Sequence, residues 1–188
     1  KRSATTALDL SNNRGVEYGA ALAFAVLGES SRPPKLANDL EERFPEDTSV
    51  RFSYLPALRA SIAMNHREPQ KALELLQTAA PNELGSPRTA LHANFGALYP
   101  VFMRGEAYLA THQGVEAAAE FQKIIDHPGI VVSDPIGALA RLYLGRAWSL
   151  AGEKDKAKAA YQEFLTLWKA ADPDVPILKE AKTEYATL

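Results

Sequence analysis

The feature that most constrains this chain is that it repeats itself at an interval near 40 residues. Gly105-Glu106-Ala107-Tyr108 matches Gly145-Arg146-Ala147-Trp148; nine residues beyond each aromatic stands Ala117 or Ala157, and four further on Phe121 or Tyr161. A weaker copy places Ala60, Ala63, Ala72 and Leu76 45 residues before Gly105, Tyr108, Ala117 and Phe121, and another step of 39 reaches Ala21, Phe24, Pro33 and Ala37. A period of this size is the signature of stacked supersecondary units, each unable to bury its apolar face alone. The frame defines one helical-repeat domain over 1–188 with units at about 14–52, 53–97, 98–137 and 138–175 and a last helix over 176–187.

Each unit reads as two antiparallel helices. Small residues sit where helix axes cross closely, and an aromatic from one helix fills the gap beside them: Gly and Ala permit the approach, and Tyr and Trp fill it. The pattern predicts helices over 4–10, 15–27, 33–44, 48–65, 69–79, 87–97, 99–112, 115–126, 135–151, 154–171 and 176–187, and no segment alternates as a strand would. Gly28-Glu29, Gln113-Gly114 and Gly152-Glu153 mark turns, where a Gly takes the left-handed conformation that ends a helix. Ser86-Pro87, Asp134-Pro135, Asp47-Thr48 and Asp174 offer capping oxygens at helix starts. Pro100 either starts a helix or kinks a longer one. The connections 81–95 and 127–134 are longer than a hairpin needs, and Gly129-Ile130-Val131-Val132 in the second is expected to pack down.

Composition narrows the function classes. With 188 residues, 46% apolar and 23% charged, the chain is long enough for a real core, and its net charge of -2, with basic residues scattered, gives no footprint for a phosphate backbone. Direct nucleic-acid binding is not expected. The longest nearly uncharged apolar stretch, Gly19 to Gly28, is too short to span a bilayer. There is no Cys, which excludes disulfides, thiolate metal sites and Cys nucleophiles. The chain begins at Lys1 with helix-like sequence directly after it, so it reads as a piece of a longer protein.

The order of small residue, aromatic, Ala and aromatic resembles the tetratricopeptide repeat, with a unit longer than the usual one of roughly 34 residues. More closely, Arg104-Gly105-Glu106-Ala107-Tyr108-Leu109-Ala110, Phe121-Gln122-Lys123-Ile124-Ile125-Asp126-His127, Asp134-Pro135-Ile136-Gly137-Ala138-Leu139-Ala140 and Tyr161-Gln162-Glu163-Phe164-Leu165-Thr166-Leu167-Trp168-Lys169 make the stretch from Tyr99 onward similar to the C-terminal tetratricopeptide region of bacterial eukaryotic-like serine/threonine protein kinases, especially those of acidobacteria. Arg43-Phe44-Pro45-Glu46-Asp47-Thr48 and Glu83-Leu84-Gly85-Ser86-Pro87 fit the same region. The resemblance implies an all-α, right-handed α–α superhelix of about four repeats with a C-terminal capping helix. It also implies a parent whose N-terminal kinase phosphorylates proteins with ATP, placed in a bacterium either in the cytoplasm or, behind a membrane-spanning helix, outside it. None of the kinase's own motifs is present here; His66-Arg67-Glu68 is only a near miss to one of them. The same region also occurs fused to winged-helix transcriptional regulators, where it senses a ligand or dimerises.

No catalytic residue, cofactor or metal site is expected. His66, His92, His112 and His127 never fall at i, i+4 spacing, although His112 and His127 could converge across a hairpin. Asp39-Leu40-Glu41-Glu42, Asp172-Pro173-Asp174 and the Lys154, Lys156 and Lys158 run read as solvated faces and caps. By register with the family, the concave face carries Tyr54, Ala57, Leu58, Ser61 and Met64; Tyr99, Phe102, Met103, Glu106 and Leu109; and Leu139, Leu142, Tyr143, Arg146 and Ser149. Of these, Tyr99, Phe102, Met103, Glu106, Tyr143 and Arg146 are the candidate partner-binding patch, for a protein or peptide partner or for self-association. Against this stands self-burial by tight curvature, and an internal Glu106–Arg146 pair. Arg146 is the only cation among these positions, so the Asn and Lys/Arg clamp of chaperone-binding relatives is absent. In the last helix, Ile177, Leu178, Ala181 and Tyr185 form an inward stripe opposite Lys179, Glu180, Lys182 and Glu184, the pattern of a solvating cap.

Overall fold

The computed structural model describes residues 1–85 and 98–188. Among them the chain is all-helical and has no strand: α1 (Arg2–Leu10), α2 (Arg14–Val26), α3 (Arg32–Arg43), α4 (Leu55–Asn65), α5 (Pro69–Leu76), α6 (Tyr99–Ala110), α7 (Gly114–Asp126), α8 (Pro128–Val131), α9 (Ile136–Leu150), α10 (Lys154–Leu167) and α11 (Pro176–Ala186). The helix expected over 87–97, its Ser86-Pro87 start and His92 lie outside the described residues. The pairs α2/α3, α4/α5, α6/α7 and α9/α10 pack internally, and the second helix of each pair packs on the first helix of the next. First helices also touch in series, α2 to α4 to α6 to α9, while α1 lies on α2 and α11 on α10.

The first helix of every pair ends in one geometry. Gly28, Arg67, His112 and Gly152 have φ of 71, 62, 59 and 79°, and they stand at the repeat's own steps. Two reversed hydrogen bonds close each turn: Glu29 N–H donates to Phe24 O and Gly28 N–H to Ala25 O in the first pair, Glu153 N–H to Trp148 O and Gly152 N–H to Ser149 O in the last. The middle turns repeat this with Glu68 to Ala63 and Gln113 to Tyr108. Gly114 therefore does not end a helix, as its place in Gln113-Gly114 suggests; His112 takes the left-handed position and Gly114 opens α7. A Cβ on Gly114 would stand 2.7 Å from Ala147 O and 2.8 Å from Ala151 N, so this glycine is required by close approach of backbones.

The expected close contacts at Gly105 and Gly145 are present, but the rings that fill them are Phe121 and Tyr161 of the second helices rather than Tyr108 and Trp148. A Cβ on Gly105 would lie 2.6 Å from the Phe121 ring, and one on Gly145 2.7 Å from the Tyr161 ring. Ala117 and Ala157 are fully buried beside them, as are Ala21, Ala60, Ala72 and Leu76 in the earlier pairs. Helix starts agree in part. Asp47 Oδ1 accepts from Ser49 N–H and Val50 N–H, and Asp134 Oδ1 accepts from Ile136 N–H at 3.1 Å. Asp174 caps nothing; it pairs with Lys179. Pro100 lies in the first turn of α6, which begins directly after a left-handed Leu98.

Two local features depart from the expected helices. The stretch over 48–65 is wound as a π turn at Val50–Tyr54 before α4 begins, with Leu55 N–H reaching back to Val50 O. Pro56 has no N–H to give Phe52 and its ring crowds that carbonyl, which a wider turn relieves. The apolar run after His127 forms the short α8: Val131 is buried against Gly137, while Val132 points outward, 67% exposed. The segment after α5 is anchored by a charge network in which Arg104, on α6, meets Glu83 at 2.6 Å and Glu120 at 2.7 Å, and Lys123 meets Glu83 at 2.8 Å.

Candidate functional site

The six candidate residues divide between core and surface. Phe102 and Met103 are 7% and 6% exposed, and neither can face a partner. Phe102 packs edge-on to Phe121, with ring centroids 5.5 Å apart, and 4.9 Å from Tyr143; Met103 joins the apolar cluster of the first two pairs. The physical reason is the serial contact of first helices, which covers the middle of α6 from both sides. Tyr54, Ala57, Leu58 and Leu142 are buried by the same contacts. Besides Met64 and the exposed Ser149, what remains accessible is a narrower stripe of Tyr99, Glu106, Leu109, Leu139, Tyr143 and Arg146, all half-buried.

Tyr99 opens α6 and its hydroxyl donates to Asp134 Oδ1 at 3.3 Å. Burial pushes its ionisation far up, and Asp134 adds to this. Asp134 is itself raised by burial, against the opposing effect of Ile136 N–H and the Tyr99 hydroxyl. Two turns along α6, Glu106 faces the Tyr143 hydroxyl and, more distantly, Arg146; burial outweighs both and pushes its carboxyl up to about 7. Tyr143 is pushed up to about 12 by burial and by Glu106.

Arg146 does not pair with Glu106. Its guanidinium lies over the Tyr143 ring, 4.8 Å from the centroid, and forks onto Glu184 of α11 at 2.9 and 2.7 Å, with Glu180 at 3.4 Å. The Tyr161 hydroxyl also donates to Glu184, at 2.7 Å. Burial works against the Glu184 charge, but these donors hold its carboxyl below the ordinary range. The apolar stripe of α11 behaves as expected, with Leu178 and Ala181 buried; Lys179, Glu180 and Lys182 are exposed. Glu184 is the exception to its solvated face.

His66 and His112 are exposed, and His127 Nδ1 is bonded to Lys123 O. His112 and His127 flank opposite ends of α7, about 20 Å apart at 1.5 Å per residue, and do not converge. Among the described residues no group of three or more His, Asp or Glu could hold a metal. In the acidic runs, Asp39 pairs with Arg43 and Glu41 with Arg59.

Sequence reasoning missed two buried polar groups of the first pair. Glu17, 3% exposed, accepts from Arg43 at 2.9 Å and lies against Asp39; burial and Asp39 push it up to about 7. Its signal was a lone acid inside the apolar run of α2. Tyr18 stacks on Tyr54 with centroids 4.1 Å apart and planes 4° from parallel, fully buried, its hydroxyl without a hydrogen-bond partner. No family model matches this chain, and no curated protein matches it.

Proposed function

We propose that this chain is a non-catalytic module for protein–protein interaction or self-association, a right-handed tetratricopeptide-like stack of four helix pairs. The observation that carries the reading is the recurrence of one turn at Gly28, Arg67, His112 and Gly152, each closing a first helix, with Gly105 and Gly145 set against the rings of Phe121 and Tyr161. Stacked units of this kind present a continuous row of first helices, the usual seat of a partner. The half-buried Tyr99, Glu106, Tyr143 and Arg146 supply Tyr and Arg, residue types enriched where binding energy concentrates.

On the likeness to the C-terminal region of bacterial serine/threonine kinases, the module serves an attached kinase, in the cytoplasm or beyond a membrane-spanning helix. No helix among the described residues is long and apolar enough to cross a membrane. The test is a comparison of wild type with Glu106→Gln and Arg146→Ala by sedimentation and by capture from bacterial lysate; Phe102→Ala would report on folding instead. Loss of self-association or of specific partners in these variants supports the reading. Saturable ATP binding by the isolated chain in calorimetry would overturn its non-catalytic part.

A further inference from the structure

We draw no further inference here: the strongest candidate, the cleft between the π turn at Val50–Tyr54 and the segment after α5, with Thr48, Ser49, Phe52 and Asn82 on its walls, has no buried side chain among its described lining residues, and nothing in the structure shows what fills it.

Discussion

The two halves of the molecule solve the same packing problem with different residues. In α6/α7 and α9/α10 the crossing is a glycine under an aromatic, Gly105 under Phe121 and Gly145 under Tyr161, with no room for a Cβ. In α2/α3 and α4/α5 the equivalent places hold Ala21 with Ala37 and Ala60 with Leu76, all buried. The volume lost there is restored elsewhere. At the position shared by Tyr18, Ala57, Phe102 and Leu142 only Ala57 is small, and Tyr18 stacks on Tyr54 to join the first helices of the N-terminal pairs. In the C-terminal half the joining cluster is Phe102, Phe121 and Tyr143. Close packing constrains summed volume across neighbours more than identity at one position.

That contrast can be broken most directly at its filling residues. Phe121→Ala removes a fully buried ring that also supports Phe102 and Tyr143, and should cost about 3–5 kcal/mol. Leu76→Ala, its counterpart, should fall nearer the lower end of about 2–5 kcal/mol, since Ala60 already has a Cβ. Urea unfolding of both variants measures the difference. An equal cost would mean that the glycine-under-ring crossing confers nothing that the alanine crossing lacks.

The same contrast explains what was legible in the sequence. Gly105, Phe121, Gly145 and Tyr161 are conspicuous residues at fixed spacing, so the C-terminal frame stood out and led to the helix pairs. Arg67 and His112 hold left-handed turns without being glycine, at a strain of about 1 kcal/mol each, so the Arg67 turn carries no glycine mark and the His112 turn is marked only by the neighbouring Gly114. The site was harder. Register placed Phe102 and Met103 with Tyr99 and Glu106, but burial along α6 depends on how tightly α4, α6 and α9 nest, which no single helix encodes. Likewise Glu184 reads as a solvated residue on α11 until Arg146 and Tyr161 arrive from two other helices.

A bulkier residue at the crossing is the next largest effect. Gly145→Leu forces a side chain into the Tyr161 ring and should destabilise by about 1–3 kcal/mol or more, while Ala60→Ser at the equivalent place in α4 adds a single oxygen and should cost less. Thermal melts compare the two. An unchanged Tm for Gly145→Leu would break the register itself.

The buried acid of the first pair separates the halves by pH. Glu17 titrates near 7 when folded against about 4.5 when free, so the folded state holds its proton more tightly and stability falls as pH rises from 4.5 to 7. Glu17→Gln should remove that decline and stabilise the protein at pH 8 on the order of 2 kcal/mol. Amide exchange should localise the gain to α2 and α3. A pH dependence identical to wild type would place the titrating group elsewhere.

The smallest expected effect concerns α11, which packs on α10. Leu178 and Ala181 supply its buried contact, while Glu184 adds a fork to Arg146 and an acceptor for Tyr161, all at a partly solvated edge. Water screens such a pair, so Glu184→Gln should cost only about 1 kcal/mol globally. Because α11 packs on α10 and on no other helix to a comparable extent, that cost should appear as local opening: faster amide exchange over 176–186 with little change over α6 and α7. The Glu184 carboxyl is held below its free range, so the stabilisation it provides is present above the free pKa and is lost as pH falls through the lowered one. Acid should therefore loosen α11 in the wild type and leave Glu184→Gln unaffected. If exchange over α11 is equally fast in both proteins at neutral pH, apolar contact alone seats the helix and the fork to Arg146 is incidental.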